Sequence, residues 1–153
     1  MIRCNENEGY PKMKWSLVIP CYNEEQNILL MRDTCQQVFR DQVDSYELIF
    51  VNDGSRDQTW ERIKEAAQGA GCRIKLINFS RNFGKEAAMY AGLQQAEGEY
   101  VTIIDADLQQ RPEVALDMLR LLEEHPEIDS VAAYQEARSE GAILQFFKTP
   151  SIV

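Results

Sequence analysis

Short apolar runs alternate with longer segments of mixed character along the chain. Five runs rich in Val, Ile, Leu, Phe and Tyr predict β-strands: Trp15–Ile19, Tyr46–Val51, Arg73–Phe79, Tyr100–Ile104 and Ser130–Ala133. Most of these runs are nearly continuous in apolar residues. Strands that are buried on both faces of a parallel sheet show this pattern, whereas strands with one wet face alternate.

The segments between the runs carry residues that start and stop helices. We predict four helices: from an Asn23 cap to about Arg40, from a Ser55 cap to about Gln68, over Lys85–Ala96, and from Pro112 to the residue before His125. Asn23 and Ser55 each have a Gln three residues further on, which is the spacing of a capping box. Alternating β and α units predict an α/β fold with a mostly parallel sheet flanked by helices.

The two ends of the chain lie outside this pattern. We predict a loose leader at 1–13 and a single domain at 14–134. In 135–153 a polar stretch precedes an apolar cluster, and no further strand or cap follows. We interpret 135–153 as the incomplete start of a further region, with a frayed terminus as the alternative. Without partners, the apolar cluster is expected to make the chain marginally stable or self-associating.

The chain is acidic, with 25 Asp and Glu against 16 Lys and Arg and a formal net charge of −9. This sign argues against binding to nucleic acid or to an anionic membrane surface. An acidic protein that binds a phosphorylated ligand needs a local cation, which can be a side chain or a metal ion.

Cysteine and histidine usage argues against a structural zinc site. The cysteines Cys4, Cys21, Cys35 and Cys72 form no Cys-x-x-Cys pair, and His125 is the one histidine. We therefore expect reduced thiols in a cytosolic protein. The N-terminus lacks the apolar run of a signal peptide, and no stretch approaches the ~20 apolar residues that span a bilayer. The sequence predicts a soluble chain on the cytoplasmic side.

Two carboxylates, Asp105 and Asp107, directly follow the apolar run Tyr100–Ile104. Open α/β sheets bind their ligands outside the carboxyl ends of the strands, where these side chains would lie. Repulsion between the carboxylates is costly unless a cation or a proton resolves it. Hard oxygen ligands suit Mg²⁺ or Mn²⁺ bridging to phosphate, and Gln109 adds a neutral oxygen. The alternative is an acidic turn that caps the next helix.

Other strand ends carry weaker signals. Asp53 could accept hydrogen bonds from a nucleobase or ribose, although Asp53-Gly54 is also ordinary turn chemistry. Tyr22 could stack on a base or simply pack. Glu24 suits a helix N-terminus electrostatically.

Arg81 and Lys85 lie just before and at the start of the third predicted helix. Two cations and a helix N-terminus fit a phosphate site, with solvated charges around a turn as the alternative. A Walker A loop is excluded, because Phe79 stands at its first glycine and Glu86 at its Ser or Thr. The chain also lacks the Gly-x-Gly-x-x-Gly fingerprint of dinucleotide-binding proteins.

Four motifs occur in the order of a known family: Ser16–Glu25, Val51–Ser55, Arg81–Lys85 and Asp105–Gln109. Together they resemble the GT-A-fold inverting glycosyltransferases, in the branch of dolichol-phosphate mannosyltransferase and the bacterial polyprenyl-phosphate glucosyltransferases. Each motif is weak alone, and four in order make the match specific. The resemblance covers most of the chain and implies a GT-A domain that is truncated before its acceptor half.

The resemblance implies a role for each matching residue at the donor site. The donor nucleotide-sugar would be bound by Pro20, Tyr22, Glu24, Val51, Asp53, Lys85, Asp105 and Ala106. Within this set, Val51 and Asp53 would contact the base. Asp105 and the Ala106 backbone would face the ribose and the donor sugar.

The same resemblance implies the catalytic and metal residues. Asp105 and Asp107 would be catalytic, and Asp107 with Gln109 would hold Mg²⁺ or Mn²⁺ on the diphosphate. Arg138 lies where the family places a basic residue near the phosphate of the acceptor. The implied reaction transfers a sugar with inversion from a UDP- or GDP-sugar to a polyprenyl phosphate, with the metal ion as Lewis acid.

Family members continue through an acceptor half, and many then carry transmembrane helices. Contact with the cytoplasmic face of a membrane is therefore expected only through segments beyond Val153. The same comparison makes donor binding the expected property of this chain, and leaves its turnover of the lipid acceptor in doubt.

Three other interpretations stay open. Phosphatases of the haloacid-dehalogenase type use Asp-x-Asp on their first strand, with Thr or Val where Gln109 stands here. A nucleotidyltransferase of similar fold would usually show a glycine-rich basic loop after the first strand, and Cys21–Gln26 shows none. The main competitor is a catalytically inactive nucleotide-binding fragment.

Overall fold

The computed structural model describes residues 2–3, 13–135 and 142–147. The strands within these ranges are β1 (Ile2–Arg3), β2 (Trp15–Cys21), β3 (Tyr46–Asn52), β4 (Arg73–Asn78), β5 (Tyr100–Ile103), β6 (Ser130–Gln135) and β7 (Ala142–Phe147). The helices are α1 (Ile28–Phe39), α2 (Thr59–Ala67), α3 (Lys85–Gln95) and α4 (Pro112–Glu124). No helix among the described residues is long and apolar enough to cross a membrane.

The strands form one sheet in the order β4-β3-β2-β5-β1-β6-β7. The neighbours β4, β3, β2 and β5 are parallel. Helix α1 joins β2 to β3, α2 joins β3 to β4, and α3 leads from β4 to β5 on the other side of β2. β1 runs antiparallel to β5 and β6, and β7 runs antiparallel to β6. The predicted α/β fold with a mostly parallel sheet is confirmed.

Helices cover both faces of this sheet. α1, α2 and α4 pack on one face, where their apolar residues join a core around Leu17 and Phe50. α3 packs on the other face against a smaller cluster that contains Val18 and Val51. Leu17 and Val18 are consecutive and face opposite cores, as the two-residue period of a strand requires. Burial on both faces explains why β2, β3 and β5 read as nearly continuous apolar runs.

Two of the predicted helix starts are wrong. α1 begins at Ile28 and α2 at Thr59, and neither has a side-chain cap. Both side chains instead form hydrogen bonds between two loops. Asn23 Oδ1 accepts a hydrogen bond from the Arg56 N–H (2.9 Å), and Ser55 Oγ accepts one from the Asn23 N–H (3.0 Å). A capping side chain can satisfy any nearby backbone donor, and here the donor lies across a loop–loop contact.

Both chain ends also differ from expectation. The leader contains β1, a two-residue strand between β5 and β6, so it is not wholly loose. β7 follows β6 where no further strand was expected, and the two pair over Ser130–Gln135 and Ala142–Phe147. A strand of two residues has no detectable period. Six residues separate Gln135 from Ala142, more than the about two to five residues by which a hairpin is recognised in a sequence.

Candidate functional site

The parallel register brings four loops to one edge of the sheet. Cys21, Asn52 and Asn78 are level across β2, β3 and β4. The ladder continues past the strands, because the Asp53 N–H donates to the Cys21 carbonyl (2.9 Å) and the Ile104 N–H donates to the Val18 carbonyl (3.0 Å). The loops after these strands therefore start side by side, in the position where open α/β sheets bind ligands.

The loops after β2 and β3 are held together by hydrogen bonds between them. Besides the two bonds of Asn23, the Glu24 N–H donates to the buried Thr59 Oγ1 (2.8 Å) and the Glu25 N–H donates to Asp57 Oδ2 (3.2 Å). Asn23 has a φ of 56°, a left-handed conformation that asparagine tolerates better than most residues. These contacts fix the direction in which the neighbouring Tyr22 leaves the sheet.

Tyr22 and Glu24, from the first predicted motif, are both accessible. Tyr22 is 42% exposed, so its ring offers a surface on which a base could stack. Glu24 is half-buried and accepts a hydrogen bond from Asn27 Nδ2 (2.7 Å). Pro20 is also half-buried, whereas the predicted base contact Val51 has no exposed surface and packs under α3.

Asp53 is almost fully buried and binds backbone. Its Oδ1 accepts the Phe83 N–H (2.7 Å) and its Oδ2 accepts the Gly84 N–H (2.9 Å), while 3% of the residue is exposed. The loop after β4 is thus tied to the loop after β3. This contact could not be predicted from local sequence, because Asp53 and Phe83 lie 30 residues apart.

Gly54 lets the same two loops approach closely. Its φ is 62°, and a Cβ built there would lie 2.5 Å from the Asn82 nitrogen and closer still to the Arg81 carbonyl carbon. Both are backbone atoms, so they cannot rotate away as a side chain would. Only glycine fits this contact.

We expect Gly54→Ala to destabilise the fold by about 2 kcal/mol, through left-handed strain and displacement of the 81–84 loop. Urea unfolding followed by tryptophan fluorescence measures the loss. Gly69→Ala is the matched control, since Gly69 also has a positive φ (72°) but has no atom within 4 Å of its added Cβ. Equal losses in the two variants would show that strain alone acts and that the close approach is unimportant.

Lys85 joins the loop after β4 to the loop after β5. It is the first residue of α3, and its Nζ lies 2.5 Å from Asp105 Oδ1. The two side chains are 55% and 34% exposed, so both remain open to a ligand. The predicted cation and the first carboxylate of the Asp-Ala-Asp motif are therefore together.

Asp107 lies in the turn that follows β5 and forms a hydrogen bond within it. Its Oδ1 accepts the Gln109 N–H (3.0 Å), and the intervening Leu108 has a φ of 60°. The carboxylate does not cap the next helix, because α4 begins at Pro112 with Arg111 as its N-cap. Asp107 is half-buried and Gln109 is exposed.

The oxygen donors present suit a divalent cation that a ligand helps to coordinate. Among the described residues, no three His, Cys, Asp or Glu side chains converge to form a complete cation site. Asp105 and Asp107 supply hard carboxylate oxygens, and Gln109 an amide oxygen, next to an open edge. Mg²⁺ and Mn²⁺ sites of this kind take their other ligands from water and substrate phosphates. The donor set fits such an ion.

Cys21 ends β2 at this edge of the sheet. Burial raises the pKa of the Cys21 thiol, so at neutral pH it stays protonated and is not a nucleophile. Arg138, predicted near the acceptor's phosphate, lies outside the described residues.

A parallel sheet with carboxylates, a lysine and a helix N-terminus at its carboxyl edge has the features by which α/β proteins bind phosphorylated ligands. The model of glycosyl transferase family 2 matches residues 16–148, and the chain belongs to this family. The resemblance inferred from the four motifs is confirmed. Family membership also argues against the phosphatase and nucleotidyltransferase alternatives.

Two curated relatives carry polyprenyl-phosphate acceptors in their names. The chain is 35% identical over 134 residues to undecaprenyl-phosphate 4-deoxy-4-formamido-L-arabinose transferase of Pseudomonas paraeruginosa (strain DSM 24068 / PA7), covering 87% of this chain and 39% of the relative. It is 32% identical over 145 residues to dodecaprenyl-phosphate galacturonate synthase of Rhizobium johnstonii (strain DSM 114642 / LMG 32736 / 3841), covering 95% and 42%. The chain thus spans about two fifths of the length of these relatives.

A solved structure shares the fold. The mannosyltransferase PcManGT from Pyrobaculum calidifontis, in complex with GDP-Man and Mn²⁺, superposes with a TM-score of 0.67 at 24% identity, over 77% of this chain and 34% of that one. At this identity the likeness concerns the fold alone.

Proposed function

We propose that this chain is the donor-binding part of an inverting glycosyltransferase that moves a sugar from a UDP- or GDP-sugar to a polyprenyl phosphate. The observation that carries the proposal is the Lys85–Asp105 pair beside Asp107, at the carboxyl edge of a parallel sheet. An acidic chain can bind a diphosphate at such an edge when a divalent cation and a lysine offset the charge. The names of the two curated relatives support the class of acceptor.

Residues of this edge have different roles in donor binding. Tyr22 stacks on the base, and Glu24 lies beside the nucleoside. Lys85 binds a phosphate oxygen of the donor. Asp105 and the buried Ala106 backbone face the ribose and the donor sugar.

Asp107 and Gln109 would hold Mg²⁺ or Mn²⁺ against the diphosphate. When bound, such an ion offsets the charge that develops on the leaving diphosphate. Lys85 adds a second positive charge on the same side, at the N-terminus of α3. The Gln109 N–H occupies only Oδ1 of Asp107, so Asp107 would bind the cation through its second oxygen, Oδ2.

The transfer reaction needs few further groups from the protein. A phosphate oxygen of the acceptor attacks the anomeric carbon from the face opposite the diphosphate, the bond to the diphosphate breaks, and the configuration inverts. Because the acceptor's phosphate is already ionised, no side chain has to remove its proton. The protein's contribution is to orient the donor and to stabilise the departing negative charge.

Titration calorimetry tests the proposal directly. We expect UDP or GDP to bind at least about tenfold more tightly with Mn²⁺ than with EDTA, which corresponds to about 1.4 kcal/mol. ATP with Mn²⁺ is the control for unspecific binding of a metal–phosphate complex. Failure of both UDP and GDP to bind, or affinities that do not change with the metal, would contradict the proposal.

A further inference from the structure

The Asp53 carboxylate fixes backbone in the loop that precedes α3. Both of its oxygens are engaged, one by the Phe83 N–H at 2.7 Å and the other by the Gly84 N–H at 2.9 Å. Hydrogen bonds from backbone N–H groups to a carboxylate are among the stronger ones in proteins. With 3% of its surface exposed, Asp53 offers little room for a ligand, although each oxygen keeps a second lone pair.

The fixed loop is braced from other directions as well. Gly54 presses against the backbone of Arg81 and Asn82. The Arg81 guanidinium lies over the Phe83 ring at 4.5 Å from its centroid, and the Phe79 and Phe83 rings meet edge to face at 5.5 Å. Asp53 and Gly54 thus hold the loop against the segment after β3, and the ring contacts hold the loop together internally.

Lys85 follows this loop directly. Gly84 is the N-cap of α3, with a φ of 100° and no side-chain cap bond, so Asp53 takes the place of a capping side chain from outside the helix. The backbone that Asp53 holds ends one residue before Lys85. From there Lys85 Nζ reaches Asp105 Oδ1 at 2.5 Å.

We propose that Asp53 is a positioning residue, which acts on the donor's diphosphate by holding the Phe83–Gly84 backbone and so aiming Lys85 at the phosphates beside Asp105. This role rests on the proposed function for its ligand. It predicts that replacing Asp53 weakens binding of the donor's diphosphate more than binding of its base. A residue that only contacted the base would affect nucleoside and nucleotide equally.

Two measurements on the 153-residue chain test the role. The first is amide hydrogen exchange by NMR without ligand. Asp53→Asn keeps the shape but places an NH₂ group against a backbone N–H, so exchange at Phe83 or Gly84 should rise by about tenfold or more. Asp57→Asn is the matched control, because Asp57 accepts from the Glu25 and Thr59 N–H groups in a neighbouring loop. It should leave exchange at Phe83 and Gly84 unchanged.

The second measurement is a double-mutant cycle of nucleotide affinity. Asp53→Asn and Lys85→Met should each weaken binding of the Mn²⁺ complex of UDP, or of GDP if that is the better ligand, by about tenfold. The double variant should lose no more than Lys85→Met alone, since Asp53 acts through Lys85. The matching nucleoside, followed by ligand-observed NMR, should change by less than about twofold in Asp53→Asn.

Each result decides one question. Losses that multiply in the double variant, or a nucleoside affinity that falls as far as the nucleotide affinity, would overturn the positioning role. Unchanged exchange at both amides would overturn it as well. If the unmodified chain binds neither UDP nor GDP, the proposed function fails, while the exchange experiment still decides whether Asp53 holds the loop. Gly54→Ala, which displaces the same loop from its other side, should reproduce the faster exchange.

Discussion

Replacing Asp107 by alanine is expected to remove most of the metal dependence of nucleotide binding. In the unmodified chain Mn²⁺ should tighten UDP or GDP binding by at least about tenfold, and in Asp107→Ala by less than about twofold. The physical reason is that Asp107 would supply the anionic oxygen on the cation, which the neutral Gln109 cannot replace. Calorimetry with Mn²⁺ and with EDTA gives the four affinities needed.

The control must separate a ligand of the cation from a general charge effect. Asp117→Ala removes the same charge from α4, where Asp117 is 61% exposed and pairs with Arg120. It should keep the full effect of Mn²⁺. A surface substitution of this kind changes the free energy of unfolding by less than about 0.5 kcal/mol. Asp107→Ala with an intact manganese effect would show that another group holds the cation.

The strands β2 and β3, the starts of α3 and α4, and the carboxyl edge of the sheet could be predicted from the sequence, because the signals for them are local. Two-sided burial makes Trp15–Cys21 and Tyr46–Asn52 nearly continuous apolar runs, and both strands were predicted to within two residues. α3 and α4 begin at Lys85 and Pro112, as predicted. Once the strands are known to be parallel, their carboxyl ends must share an edge, which places Asp53, Asp105 and Asp107 at the same edge of the sheet.

The contacts within that edge could not be predicted, because they depend on partners far along the chain. Asn23 and Ser55 have the local spacing of helix caps, yet they bond across 32 and 33 residues. Asp53 looks like a turn residue or a ligand contact, and it binds the backbone of Phe83 and Gly84. A polar side chain next to a loop has several donors of similar energy to choose from, and tertiary packing selects among them.

The candidate site, too, could be predicted only in part. Chemistry-bearing residues were found by type and spacing, since paired carboxylates and a lysine at strand ends are unusual. The sequence did not show which of these residues are buried. Both the fully buried Val51 and the exposed Tyr22 were therefore predicted to bind the donor. Which face of β3 Val51 occupies depends on the strand's register, and a shift of one residue would have reversed it.

The largest effect on stability is expected at the opposite, amino-terminal end of the sheet. Glu47 lies in β3 with no exposed surface. Its Oε1 accepts hydrogen bonds from Ser16 Oγ (2.7 Å) and the Glu97 N–H (2.9 Å). Within the described part of the chain its Oε2 accepts no hydrogen bond, and ion pairs with Lys75 (3.1 Å) and Arg73 (3.8 Å) balance its charge.

We expect Lys75→Met to lower the free energy of unfolding by about 3 kcal/mol. Removing one partner of a buried ion pair costs about 3–5 kcal/mol because the other charge is left without compensation. The lower end applies here, since Arg73 and the two hydrogen bonds to Oε1 remain. A domain has only about 5–15 kcal/mol of stability in total, so the loss should be plain in urea unfolding.

Two companion variants identify the cause of this loss. Lys64→Met removes an exposed lysine that pairs with Glu61, and it should cost less than about 1 kcal/mol. Adding Glu47→Gln to Lys75→Met removes the buried charge but keeps an amide in place of the carboxylate. This double variant should recover most of the stability, because it is the uncompensated charge, and not the missing methylene contacts of lysine, that destabilises the single variant. A double variant no more stable than Lys75→Met would place the effect in packing instead of charge.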